Sequence, residues 1–325
     1  MALRIRKRDL KPYVMQWLNN KLQLGLGIGK ILYMANSGSE FEANLLDNGV
    51  PTSEIFTGIE AAEDALTSAK NDVILLTPGV YSATPAMTWD KSNCHVLGLS
   101  PDVIGYNPCY FTHTADQDVW WTVSGANNTF HNVRFQHGGT SATNAHAMEL
   151  TGSSNRFYYC HFDGPETTTE AAISGYDLVK ISEEYQNFSK CLFGNPWNAM
   201  TDVSALLGFT GNKNATSFFK DCIFQKNCGA TTNLFIHTYQ SLNGGSHIHF
   251  NNCSFQNLGT STPQYAVDGY GLNTNNAMMT FKDCDFCGVT DVVAATYEAY
   301  VWFTGGSVFR TSALVNGLGI NPDVS

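Results

Sequence analysis

The hexapeptide FKDCDF at 281–286 is the last of five copies of one frame, preceded by FNNCSF at 250–255, FKDCIF at 219–224, FSKCLF at 188–193 and FYYCHF at 157–162. Its cysteines, Cys160, Cys191, Cys222, Cys253 and Cys284, follow one another at a single constant interval. A fixed period of roughly 30 residues marks a chain built from stacked structural repeats. Within the frame the first Phe and the Cys are three positions apart, so an uninterrupted strand would place them on opposite faces. A bend between them restores a common inward direction. Asp221, Asn252 and Asp283 occupy the position before the cysteine in three of the five copies. Asn and Asp are the side chains that best tolerate a left-handed backbone, which suits that position to a corner.

Helical repeats also have periods in the thirties, but these repeats are rich in Gly, Asn, Thr and β-branched residues and lack the Ala, Leu, Glu and Lys runs of long helices. The sequence therefore predicts coils of short parallel strands, stacked so that Phe and Cys form continuous interior ladders. Cysteines in register have parallel Cβ vectors, the wrong orientation for a disulfide even at the roughly 4.8 Å spacing of neighbouring strands. The nine cysteines read as buried thiols. Cys284 and Cys287 make a lone CxxC with no second pair at zinc-ligand spacing, so no metal site and no cofactor is expected.

The frame extends beyond the five copies. FHNVRF at 130–135 precedes the first at a slightly shorter interval, and GGSVF at 305–309 sets Ser307 and Phe309 after the last at a shorter one still, with Thr304 where a Phe is expected. These spacings suggest a common coil of about 23 residues carrying surface loops of up to about eight. Upstream, TGIEAAEDALTSA sets Thr57 and Glu60 at capping-box spacing and Ile59, Ala62, Leu66 and Ala69 on one helical face. NDVILLTPGVY and SNCHVLGLSPD follow as two strand-and-turn units. Here the chain resembles the opening of the pectin-lyase-like right-handed β-helices, in which a helix plugs the first coil. The resemblance implies an all-β, single-stranded right-handed parallel β-helix with an N-terminal capping helix, spanning residues 51–325 behind an arm of residues 1–50. That superfamily includes lyases, hydrolases, esterases, adhesins and viral spikes, so the fold alone does not name an activity.

The motifs of its enzymes are missing. There is no RxxPxxR of the pectate lyases, and of the polygalacturonase blocks only one His-Gly pair, His137 and Gly138, is present. A glycosidase needs two carboxylates roughly 5–9.5 Å apart, and neighbouring coils can supply them. The candidates are Asp163, Glu166, Glu183, Glu184 and Asp268, which read from sequence as solvated loop acids. His247 and His249 share a strand face and are expected to point outward as polar ladder residues. Trp197, Tyr265 and Tyr270, on the inserted loops, could meet a sugar or a neighbouring subunit.

Charge is unevenly placed. Residues 1–30 hold seven of the 18 basic residues and one acid, so this segment is about +6 and the remainder about −16. Leu10, Val14, Trp17 and Leu18 recur at helical spacing within it. The order of basic arm, capping helix and β-helix is similar to that of tailed-phage spike and capsid-associated proteins. That resemblance implies a noncatalytic virion protein, a homotrimer held to capsid or tail proteins through Arg4, Arg6, Lys7, Arg8, Lys11 and Trp17. Its loops would face a cell-surface glycan. No apolar run long enough for a membrane span and no export signal are seen, so assembly in the host cytoplasm is expected, without a membrane or nucleic-acid partner. The alternative is a polysaccharide-degrading enzyme, a tail-spike depolymerase or a pectate-lyase-like protein.

Overall fold

A computed structural model describes residues 29–309, apart from 84–85, 106, 114–118, 139–145, 166, 202–203, 212–215, 240–244 and 276. The residues expected to anchor the chain, Arg4 to Trp17, lie outside this range, as does Glu166. The described chain is a parallel β-helix: each coil visits three sheets in turn, and every strand pairs in parallel with its counterparts in the neighbouring coils. Sheet 1 has eleven strands, sheet 2 nine and sheet 3 six. Sheet 1 begins upstream of residue 51, because Ile31–Met34 pairs with Asp72–Leu76.

The Phe-Cys frame is the corner between sheets 1 and 2. Phe157, Phe188, Phe219, Phe250 and Phe281 stack in sheet 1 with ring centroids 4.6–4.9 Å apart. Phe162, Phe193, Phe224, Phe255 and Phe286 stack in sheet 2 at 4.5–4.8 Å. The spacing is that of the strands themselves, so each ring covers the next along the helix axis. Rings of the two files meet edge to face, for example Phe250 and Phe255 at 5.5 Å, an arrangement that suits the aromatic quadrupole. The five cysteines are buried between the files as free thiols, and burial pushes the Cys191 thiol well above its ordinary range.

The corner is left-handed in every copy. Asn132, Asp221, Asn252 and Asp283 have φ of 53–55°, and Tyr159 and Lys190 take the same conformation where no Asn or Asp is present. The corner amides continue the ladder between coils: Asp221 N–H donates to Asn251 O at 3.0 Å and Asn252 N–H to Lys282 O at 2.8 Å. Asn252 Nδ2 also donates to Asp221 Oδ1 at 2.8 Å, tying two corners together.

Three expectations need revising. In the final coil Phe281 pairs with Phe303 and Phe286 with Val308, so Phe303 continues the ladder and Phe309 pairs with Cys287 instead. The coil is one residue shorter than the GGSVF alignment gave. The capping box at Thr57 does not form: the helix runs Ile59–Asp64, its N-cap is Gly58, and no side chain caps it. Ile59, Ala62 and Leu66 are buried as predicted, but Ala69 has left the helix with φ 64°. The stretches taken as surface loops also contain the strands of sheet 3, including Tyr176–Ile181 and Ser204–Phe209.

Candidate functional site

Sheet 3 turns Met148, Leu150, Val179, Ile181, Leu207, Phe209 and Ile236 into the core. Alternation then directs their neighbours outward. One outward row, in register, reads Thr122, Glu149, Lys180, Gly208 and His237. A second reads His146, Asp177 and Ala205; strict alternation would turn it inward with Met148, Val179 and Leu207, but Leu178 and Leu206 enter the core beside Val179 and Leu207, and this break in the alternation puts the Asp177 carboxylate on the Gly208 face. The bridge between Ile236 and Val267 carries the sheet one coil further and brings Asp268 beside His237.

These rows converge on Asp177, whose side chain is 0% exposed. Tyr239 OH donates to Asp177 Oδ2 at 2.6 Å. His146 Nδ1 lies 3.9 Å from the same oxygen. His237 Nδ1 lies 3.7 Å from Oδ1, and its other nitrogen, Nε2, lies 3.5 Å from Asp268 Oδ2. On the far side of His146, Lys180 Nζ stands 3.0 Å from Nε2 and 3.4 Å from Glu149 Oε1. The result is a continuous run of contacts from Glu149 through Lys180, His146, Asp177 and His237 to Asp268. The buried carboxylate sits at its centre, with Lys180, Glu149, His237 and Asp268 half-buried at its edge.

Gly208 makes room for this arrangement. A Cβ there would stand 2.0 Å from Asp177 Oδ2 and 2.5 Å from its Cγ. Any side chain at this level of the row would have to displace the carboxylate. Asp268 is fixed independently, since its Oδ1 accepts the N–H of Tyr270 at 3.0 Å and its backbone oxygen accepts from Thr238 Oγ1.

The electrostatics separate the groups into roles. Burial alone would pull the His237 pKa down, but the charges of Asp177 and Asp268 outweigh it, and the pKa is raised above the ordinary value. Burial and the Asp177 charge push the Tyr239 phenol up, so it remains a neutral donor. Lys180 also lies 5.7 Å from the Tyr239 ring. The site therefore offers a proton on His237, a carboxylate on either side of it and one lysine, the components of acid–base chemistry on a neutral or acidic substrate.

Of the sequence candidates among the described residues, only Asp268 is in this cluster. Asp163 is not a solvated loop acid: its carboxylate is 2% exposed, forms an ion pair with Arg134, and accepts from Asn195 Nδ2 at 2.9 Å. Glu183 and Glu184 lie in the turn into sheet 1, where their backbone oxygens accept from Gln186 Nε2. His247 is exposed and His249 stacks on Phe218 at 5.1 Å, both on the outward side of sheet 1. Among the described residues no cluster of three His, Cys, Asp or Glu side chains could hold a metal ion. Glu149, His146, Asp177, Lys180, His237 and Tyr239 went unnoticed in the sequence. A signal was present: His146 precedes Asp177, and Glu149 precedes Lys180, by the same interval that separates successive copies of the Phe-Cys frame.

No protein-family model and no curated protein matches the sequence. Solved structures do match. The pectin methylesterase from Aspergillus niger, in deglycosylated form, aligns with a TM-score of 0.57 and 13% identity over 92% of each chain. Pectin methylesterase PemA from Erwinia chrysanthemi aligns with a TM-score of 0.56 and 11% identity over 92% of each chain. Pectate lyase Pel9A gives a TM-score of 0.50 and 16% identity over 94% of this chain and 86% of its own. The likeness is one of fold. These three are pectin methylesterases and a pectate lyase, and they lend no support to the virion resemblance drawn from the basic arm.

Proposed function

We propose that this chain is a polysaccharide-degrading enzyme whose active site is the outward face of sheet 3. His237 is the proton-transfer group. Asp177, buried behind it, fixes the imidazole and favours its charged form, and Asp268 faces the second nitrogen. Lys180 supplies the positive charge that would stabilise a developing oxyanion or pair with an acidic sugar. Its contact with Glu149 holds it at the edge of the site.

The observation that carries this reading is His237 held between Asp177 and Asp268 over the space left by Gly208. The fold neighbours support the substrate class, since pectin methylesterases and a pectate lyase act from the same architecture. The test is incubation of the purified protein with polygalacturonate, pectins of high and low esterification, and bacterial capsular polysaccharides. Reducing ends, unsaturated uronates and methanol are scored. Turnover of at least one polymer by the wild type, lost in His237→Gln, is expected. A wild type that releases nothing from any of them defeats the proposal.

A second reading, a noncatalytic phage virion protein bound to capsid or tail partners through Arg4, Arg6, Lys7, Arg8, Lys11 and Trp17, is favoured by the charge of residues 1–30. It requires that a quadruple alanine variant of Arg4, Arg6, Lys7 and Arg8 fold normally yet fail to join particles. Incorporation at wild-type levels would dismiss it.

A further inference from the structure

The segment between sheet-2 strand Leu192–Phe193 and sheet-3 strand Ser204–Phe209 combines a pinned backbone with an unburied indole. Asn195 is buried, and its Nδ2 donates to Asp163 Oδ1 at 2.9 Å and Pro165 O at 3.4 Å, while its Oδ1 accepts the Trp197 N–H at 3.2 Å. Asn198 Nδ2 donates to Pro165 O at 3.1 Å. Asn227 Nδ2, from the next coil, donates to Pro196 O at 3.0 Å. Met200 N–H donates to Asn227 O at 2.8 Å and Thr201 N–H to Ala171 O at 2.9 Å. The segment is thus tied to the coils on both sides. Asp163, its deepest anchor, is itself held by Arg134, whose Nε donates at 2.6 Å and whose guanidinium lies 5.3 Å from the Tyr110 ring.

Trp197 nonetheless stands 79% exposed, the most exposed large hydrophobic side chain among the described residues. A loop held this firmly has no need of an indole in water for its own stability, and an aromatic ring on a rigid backbone loses little entropy when a ligand covers it. We infer that Trp197 is a stacking platform for a pyranose ring of the polysaccharide, with Arg134, Asp163 and Asn195 as its positioning residues. This inference rests on the polysaccharide reading of the site. The segment precedes, in the sequence, the strand Ser204–Phe209 that carries Ala205 and Gly208 of the Asp177 cluster.

The surroundings select the ligand. Arg134 and Asp163 neutralise each other, so the loop around Trp197 adds no net charge through them. A pyranose presents an apolar C–H face to a ring. Nucleic acid or an anionic lipid surface would call for unpaired cations. A protein interface would call for an apolar patch around the hot-spot residue. The other strongly exposed aromatics, Tyr185 and Trp302, lie in the turn into sheet 1 and on sheet 1 itself.

The test is electrophoresis through gels containing polygalacturonate, highly esterified pectin or dextran, with kinetics on any polymer that turns over. Four proteins are compared: wild type, Trp197→Ala, Trp197→Phe and Asp177→Asn. Wild type and Asp177→Asn should be retarded by at least one polymer, Trp197→Phe nearly as much, and Trp197→Ala should bind more weakly by on the order of tenfold or more. In turnover, Trp197→Ala should raise KM with kcat little changed. Equal retardation of wild type and Trp197→Ala overturns the platform, as does a wild type retarded by none of the polymers. Retention that depends on Trp197 in a wild type without turnover would uphold the platform and sink the active-site reading instead, so the two failures are distinct.

Discussion

The interior corner between sheets 1 and 2 and the outward face of sheet 3 are built by the same coils under opposite rules. Inside, each level repeats the last: Phe on Phe at 4.5–4.9 Å in both files through the five copies. Outside, no residue recurs at successive levels from Thr122 onward, and the row passes through an acid, a lysine, a glycine and a histidine. Packing makes the same demand at every level, so repetition satisfies it. Chemistry needs different groups brought together, and a β-helix can do that only where its repetition stops. Asp177, buried and ringed by titratable side chains, is such a place.

The contrast is tested most severely by Asp177→Asn. The amide keeps the volume and an acceptor for Tyr239 but abolishes the Asp177 charge that helps raise the His237 pKa. Activity should fall about 10²–10⁴-fold, the usual worth of general acid–base catalysis, with thermal unfolding little changed. Gly208→Ala should do nearly as much by geometry alone, because its Cβ would occupy the place of the Asp177 carboxylate. A loss of about 10²-fold is expected from such a misplacement. If either variant retains full activity on a polymer that the wild type degrades, the outward face is not the active site.

In the interior the expected outcome is the reverse. Phe255 is buried and stacks 4.5 Å from both Phe224 and Phe286. Phe255→Ala should cost about 3–5 kcal/mol in denaturant unfolding, while the molecules that remain folded keep their activity. A cost below about 1 kcal/mol would mean that the coils close around the gap, and that the ladder is less close-packed than its geometry implies.

Unequal legibility follows from the same contrast. The Phe-Cys period exposed the coil, its corner and the burial of the thiols, because each of these is a demand repeated in every copy of the frame. Sheet 3 was hidden because its strands carry no repeated Phe-Cys frame and are set between loops of varying length, so Tyr176–Ile181 reads as part of an insertion. Asp163 and Asp268 look alike as loop acids. One is sealed beneath Arg134 and Asn195 while the other stands at His237, a difference that depends on which coil lies above them. Linear spacing carries that information only where the offset of the frame survives, as it does for His146 with Asp177.

At the N-terminal end, burial acts on a carboxylate that no repeat produces. Glu63, on helix Ile59–Asp64, is buried, and its pKa is raised to about 7, although Lys91 and the N–H groups of Asp90 and Lys91 draw it partly back. A carboxyl whose folded pKa exceeds its unfolded value binds more protons in the folded state. Its contribution to stability is therefore fully present below about 4.5 and lost as pH rises toward 7. Unfolding measured from pH 4.5 to 8 should show the wild type losing stability relative to Glu63→Gln across this window. A difference that stays constant with pH would contradict the assignment.

The smallest effect expected lies at the corner itself. Tyr159 holds φ 53°, the conformation taken at other corners by Asn132, Asp221, Asn252 and Asp283. For an L-residue with a bulky side chain this region costs roughly 1–2 kcal/mol, a cost Asn partly escapes through local hydrogen bonding. Tyr159 recovers some of it, because Lys190 Nζ donates to its hydroxyl at 2.9 Å and sits 5.1 Å from its ring. Tyr159→Asn should therefore stabilise the chain by no more than about 1 kcal/mol, a rise of roughly 2 °C in Tm. A fall in Tm would show that the Tyr159–Lys190 contact outweighs backbone strain, and that outward side chains as well as the interior ladder help hold these two coils in register.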